Sequence, residues 1–301
     1  MKLATTTGDF AEYTVSQADA LKYIEKSGFK YIDYNFGIDY RDKSGFYSED
    51  AGLHLENMLK TADELSVEFV QAHAPMGKPL ENGTINMEHV RTVKNAIKYC
   101  SKLGIKNIVV HSGYEQGISK KENFERNREF YLRIFDVAED YKVNVLTENF
   151  NKMMFDDVYW IDSAEDLFEF IEFAGHPFLH ACWDAGHGNM QELGQCEALK
   201  ILGKHVYGIH VQDNYGDHDS HIAPFFGSLN IDSLMHGLMD IGYAGYFTFE
   251  ASRMFYPSSK RRQFSKDERL IKAPLDLRIE AEKLLYKTGK CILSAYECFE
   301  V

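Results

Sequence analysis

The chain has 301 residues, 45% hydrophobic and 26% charged. This composition excludes a disordered or fibrous protein and suits one large domain or two small ones. A formal net charge of −13, from 33 Lys and Arg against 46 Asp and Glu, repels nucleic acid and anionic membrane at long range. No run reaches the ~18 apolar residues of a membrane span, and the opening MKLATTTGDF lacks the apolar core of a secretory signal; the expectation is a cytoplasmic protein.

From the N-terminus, apolar runs of period two alternate with longer segments of helical period, the pattern of parallel βα units. A strand at Leu3 to Thr6 is followed by a helix at Ser16 to Ser27, and a strand at Tyr31 to Tyr34 by a helix at Gly52 to Leu65. Next come a strand at Val67 to Ala72, a helix at Asn86 to Leu103, a strand at Asn107 to His111 and a helix at Lys120 to Tyr141. Strands at Val143 to Glu148 and Leu179 to Asp184 flank a helix at Ala164 to Phe173. The last units pair a helix at Glu192 to Leu202 with a strand at Val206 to Val211, and a helix at Ile231 to Ile241 with a strand at Tyr246 to Glu250. A final helix is predicted at Leu275 to Lys287, with the tail from Cys291 packed on the exterior.

Several helices stop at a glycine just before a strand, namely Gly28, Gly104, Gly203 and Gly242, as a left-handed C′ residue requires. Eight such units in one chain of this length predict a single-domain (β/α)8 TIM barrel spanning residues 1–301. A doubly wound sheet would call for a glycine-rich phosphate turn after the first strand, and TTTGDF is not one. The five cysteines, Cys100, Cys182, Cys196, Cys291 and Cys298, lack CxxC spacing and read as reduced thiols, Cys182 as a small buried hydrophobe. Met254 to Lys272 reads as an extended polar loop whose Lys260, Arg261 and Arg262 form a solvated surface run, with a phosphate contact as the alternative.

Barrel enzymes build their sites at the carboxyl ends of the strands. Here the third to eighth predicted strands end in His73, His111, Glu148, Asp184, His210 and Glu250. Alternation turns Leu146 and Glu148, Cys182 and Asp184, Gly208 and His210, and Thr248 and Glu250 inward, leaving Val145, Trp183, Ile209 and Phe249 toward the helices. Converging carboxylates cannot stay unpaired in a barrel mouth. A divalent cation is the expected resolution, and the set Glu148, Asp184, His210 and Glu250 suits Zn²⁺, Mn²⁺ or Co²⁺ and accepts Mg²⁺. The alternative is a set of salt-bridged core residues. His187, three residues after Asp184, and the DxH pair Asp219 and His221 are further candidates, whereas His54, His89, His176, His180, His205, His218 and His236 read as structural or solvent-exposed.

The strings HAP, HSG, TENF, WDAGHGN, IHVQDN, DSHIAPFFGSLNID and FEAS, from His73 to Glu250, resemble the xylose-isomerase-like superfamily, which joins sugar isomerases and epimerases to zinc-dependent apurinic endonucleases. The resemblance to the ketose 3-epimerase branch implies one metal held by Glu148, Asp184, His210 and Glu250. It also implies an enediolate stabilised by that metal, with Glu148 and Glu250 as acid and base and His187 bound to a substrate oxygen. The substrate would be a small sugar, sugar phosphate or cyclitol. The endonuclease branch implies three zinc ions, on His73, His111 and Glu148, on Glu148, Asp184, His210 and Glu250, and on His187, Asp219 and His221. Against a nucleic-acid substrate stand the acidic charge and APMG after His73, in place of an aromatic wedge. Phe225 and Phe226 are expected either to wall the mouth and shape a small pocket or to pack in the core. A membrane partner is not expected, and a homo-oligomer is left open.

Overall fold

The computed structural model describes residues 1–150, 159–255 and 270–300. Its strands are β1 Lys2–Thr6, β2 Tyr31–Asn35, β3 Glu68–His73, β4 Leu80–Glu81, β5 Thr84–Ile85, β6 Asn107–Val109, β7 Asn144–Glu148, β8 Leu179–Asp184, β9 Val206–His210 and β10 Tyr246–Phe249. The α-helices are α1 Gln17–Ser27, α2 Phe36–Asp42, α3 Ala51–Leu65, α4 Met87–Leu103, α5 Lys120–Tyr141, α6 Ala164–Ala174, α7 Ala185–Asn189, α8 Gln195–Leu202, α9 Ile231–Asp240 and α10 Leu275–Ala295.

Eight strands form one sheet in the order β10, β1, β2, β3, β6, β7, β8, β9, every pair parallel. The edges of that sheet meet. Val211, just past β9, donates its N–H to the Thr248 carbonyl at 2.8 Å and accepts from Glu250 N–H at 3.1 Å. The result is a nearly closed (β/α)8 barrel with helices between its strands, and the doubly wound alternative, which keeps two open edges, is set aside.

Local chemistry sets the helix ends. Ser119 caps α5 in a capping box with Glu122, and Asn86, Ser163 and Asn230 accept first-turn N–H groups of α4, α6 and α9. Gly28, Gly104, Gly203 and Gly242 all take positive φ, between 50° and 107°. Ser66 and Lys142 make the same turn after α3 and α5 without glycine, at φ 52° and 54°, which is why no stop signal marks them in the sequence.

The expected alternation positions the site. Val145, Trp183, Ile209 and Phe249 pack in the main core beneath the helices, while Leu146, Cys182 and Val109 form a small separate cluster inside the barrel. Strand limits differ slightly from expectation, since β6 ends at Val109 and β10 at Phe249, leaving His111 and Glu250 just beyond their strands. Helix α10 runs on to Ala295, so the tail at Cys291 begins as helix; Glu300 N–H then reaches the Met1 carbonyl at 2.9 Å. Helix α2, helix α7 and the β4–β5 hairpin had no periodic signal because each is too short to show one. Lys260, Arg261 and Arg262 lie outside the described residues. No described helix is long and apolar enough to cross a membrane.

Candidate functional site

Each predicted site residue sits at the carboxyl rim of the barrel. Glu148 closes β7, Asp184 closes β8 and caps α7, His210 closes β9, and Glu250 follows β10. The donor atoms of these four side chains all lie within 4.8 Å of one another. His210 Nδ1 stands 2.6 Å from Glu148 Oε1 and 3.6 Å from Glu250 Oε2. Two further groups adjoin the first: His73 and His111 with Glu148, and His187 with Asp219 and His221. His111 Nε2 is 2.6 Å from Glu148 Oε2 and 3.0 Å from His73 Nε2. In the other group, Asp219 Oδ2 is 2.9 Å from His221 Nε2, and Asp219 Oδ1 is 3.4 Å from His187 Nε2. The structure therefore brings all nine candidates to one rim.

Cys182, fully buried as expected, also carries its sulfur within 4.8 Å of donor atoms of Glu148 and His210. Phe225 and Phe226 are 66% and 53% exposed on the loop after β9, which excludes core packing as their role. A cavity beside His111 is lined by Met76 to Asn82, Tyr114, Phe150 and Tyr159.

Supporting residues hold the rim in place. Asp184 Oδ1 accepts the His187 N–H at 2.7 Å, so the turn AGHGN places the imidazole over the end of β8. Asn149 clamps β7 to β8, accepting from Asp184 N–H at 2.7 Å and donating to the Asp184 carbonyl at 3.0 Å; its own carbonyl faces His187 Nδ1 at 2.9 Å. The Gln212 amide donates to Asp219 Oδ1 at 2.9 Å and to Asp184 Oδ1 at 3.3 Å. A side chain on Gly186 would collide with that amide. Below His210, Asp33 Oδ2 lies 3.2 Å from Nε2 and accepts from Gln71 Nε2 at 2.9 Å.

Asn149 and Gln212 lie inside the strings TENF and VQDN, where their polarity was visible but their role was not. Asp33 and Gln71 sit within β2 and β3 rather than at strand ends, and a mid-strand position carries no local mark of a site.

Electrostatics favour a bound cation. Burial opposes ionisation of Glu148, but His210 and His111 outweigh it and hold the carboxyl well below its usual range. Burial pushes Asp184 up to about 6, against His187 and with the help of Glu148 and Glu250. Burial likewise opposes charge on His187 and His221, yet Asp184 and Asp219 bring the first to about 10, and Asp219 and Glu250 bring the second to about 9. Among the described residues Asp184 Oδ2, fully buried, has no hydrogen-bond partner, and Glu148 Oε2 meets His111 outside hydrogen-bond geometry. Unsatisfied buried carboxylate oxygens beside imidazole nitrogens are a donor set that fits a divalent metal ion.

Comparison with known proteins places this rim in a family. The family model described as "Xylose isomerase-like TIM barrel" matches residues 21–273. The uncharacterized protein MJ1311 of Methanocaldococcus jannaschii is 27% identical over 207 residues, covering 65% of this chain and 69% of that protein. Among solved structures, the IolI protein with a binding zinc atom superposes with a TM-score of 0.74 at 19% identity over 100% of both chains. D-psicose 3-epimerase with D-tagatose from Clostridium cellulolyticum H10 gives a TM-score of 0.74 at 15% identity, covering 97% of this chain and 99% of that one. With the barrel, its rim of carboxylates and imidazoles and a family match over most of its length, the chain belongs to the xylose isomerase-like TIM barrel family.

Proposed function

We propose that the protein is a divalent-metal-dependent isomerase or epimerase of a sugar or sugar phosphate. One observation carries this reading: Glu148 and Glu250, on strands separated by β8 and β9, flank the same His210 nitrogen at 2.6 and 3.6 Å. Carboxylates entering from different sides of a barrel are suited to removing a carbon-bound proton on one face and returning one on the other. Glu148, Asp184, His210 and Glu250 would hold the metal. When bound, the cation supplies Lewis-acid stabilisation of charge developing on adjacent substrate oxygens. His187, fixed through Asn149 and Asp184, presents Nε2 toward Asp219 and the rim, where it can donate to a substrate oxygen. The similar fold of the solved D-psicose 3-epimerase supports the reaction class, and the zinc atom bound by the IolI protein supports the metal.

The test is solvent exchange. With Mn²⁺- or Zn²⁺-loaded protein in D₂O, NMR follows loss of the proton α to the carbonyl across a panel of ketoses. Glu148→Gln and Glu250→Gln are each expected to slow exchange by at least ~10²-fold with an unchanged circular dichroism spectrum. A variant that keeps near-normal turnover removes the two-carboxylate mechanism.

The two flanking groups, His73, His111 and Glu148 and His187, Asp219 and His221, favour a second reading, a multinuclear zinc phosphodiesterase of the apurinic endonuclease type. Three ions per chain by elemental analysis, together with nicking of an abasic duplex, would select it. One ion per chain with sugar exchange selects the first.

A further inference from the structure

Two donor sets overlap at the barrel centre. Strand register sets Glu148 of β7 beside Cys182 of β8, and Asp184 of β8 beside His210 of β9. Cys182 and Asp184 are two residues apart on the same inner face, so the thiol lies about 7 Å along the strand below the carboxylate. Glu148 and His210 serve both levels. With Asp184 and Glu250 they form the four-donor set at the rim, and with Cys182 they form a second set whose three donor atoms also lie within 4.8 Å of one another. The His210 ring accounts for the overlap, since Nδ1 faces Glu148 and Glu250 while Nε2 faces Asp33 deeper in the barrel.

The two sets differ in chemistry. Three carboxylates and one imidazole make the rim a set of hard oxygens that suits Mn²⁺ or Mg²⁺, and the Glu250 side chain there is 21% exposed. The lower set exchanges two of those carboxylates for a thiol sulfur, a soft donor. Its surroundings are drier. Glu148, Cys182 and His210 are all buried, and Cys182 packs with Val109 and Leu146. One carboxylate, one thiolate and one neutral imidazole balance the charge of a divalent ion, which lowers the cost of holding it away from water. Independently, the fully buried Glu148 Oε2 has no hydrogen-bond partner among the described residues. We propose that Glu148, Cys182 and His210 form a second, deeper seat for a thiophilic divalent ion, and that it excludes an ion at the rim because both need Glu148 and His210. On entry the ion forms a bond to sulfur and the thiol proton leaves to solvent. Thiophilic ions thereby compete with the rim ion by withdrawing two of its four donors. The seat stands on its own donors and does not require the isomerase reading.

The EDTA-treated full chain is titrated with Co²⁺, whose bond to a thiolate gives a sulfur-to-metal charge-transfer band in the near ultraviolet. In parallel, Cd²⁺ competes against Mn²⁺ followed by electron paramagnetic resonance. The parent is expected to show the band with the first equivalent of Co²⁺, and Cys196→Ser, at a thiol 3.8 Å from Asp240 Oδ2 on the outside of the barrel, to keep it. Cys182→Ser and Cys182→Ala are each expected to lose the band and to cut the preference for Cd²⁺ over Mn²⁺ at least ~10-fold. No band in the parent, a band that survives in a Cys182 variant, or an unchanged Cd²⁺ preference would overturn the proposal. The first of these outcomes needs no variant, so it decides even where both substitutions prevent folding.

Discussion

At His210 a single imidazole serves two sides of the barrel interior. Its Nε2 points down to Asp33 Oδ2 at 3.2 Å, and its Nδ1 points up to Glu148 and Glu250. Gln71 Nε2 aims at the same Asp33 oxygen, which is why it approaches His210 Nε2 to 3.0 Å. Carboxylates face both ring nitrogens, so a cation that takes the place of a proton on Nδ1 leaves the proton on Nε2, held by Asp33. Glycine at position 208 makes this possible, because a Cβ there would stand 2.6 Å from Gln71 Oε1 and 2.7 Å from Leu146 Cδ1. Asp33→Asn removes the charge and preserves the shape. Its expected effect is a roughly 10- to 100-fold loss of Mn²⁺ or Zn²⁺ affinity by isothermal titration; affinity within twofold of the parent would refute the positioning role. None of this was visible along the chain. Asp33 and His210 are 177 residues apart, and a carboxylate in the middle of a predicted strand carries no mark of function.

Among the elements, α4 carries a pH dependence of its own. His89 is buried on its inner face, stacked 5.7 Å from Phe130, and burial, assisted by His111, pushes its imidazole from 6.5 down to about 4. Above pH ~6.5 the ring is neutral in both folded and unfolded chains and adds no pH dependence. As pH falls from ~6.5 toward 4 the unfolded chain takes up a proton that the folded chain refuses, so stability drops, by about 2–3 kcal/mol at pH 4.5. Urea unfolding at pH 7 and pH 4.5 is expected to show a smaller loss in His89→Phe than in the parent. An identical loss in the two proteins would exclude His89 as a source. Elements of this kind, long enough to repeat an apolar face, were legible. Helix α5 begins and ends where its periodicity predicts, and β8 matches its predicted span. Helix α7, five residues long, is set by the Asp184 cap and by the space Gly186 leaves for Gln212, and these are contacts rather than patterns.

For the molecule as a whole, closure and charge act together. The bridge from Val211 to Phe249 joins the two sheet edges and thereby sets Glu250 against a centre already holding Glu148 and Asp184. Gathering these acids within a chain of net charge −13 stores repulsion that a divalent cation relieves. Metal at 100 times its dissociation constant is expected to stabilise the fold by ~2.7 kcal/mol, a rise of about 5 °C in Tm. Differential scanning fluorimetry with and without EDTA measures it, and a Tm indifferent to chelation would argue against a metal at this rim. From sequence alone, the βα alternation, the glycine stops and the acidic and imidazole residues at strand ends determined the barrel and named its rim, because each is a local or periodic property of the chain. Tertiary structure alone decided that the donors converge within 4.8 Å, that Asp33 and Gln71 support them from below, and that Asn149 and Gln212 brace them at the rim. Those outcomes depend on which strands become neighbours when the sheet closes, and no periodicity along one strand records its partner.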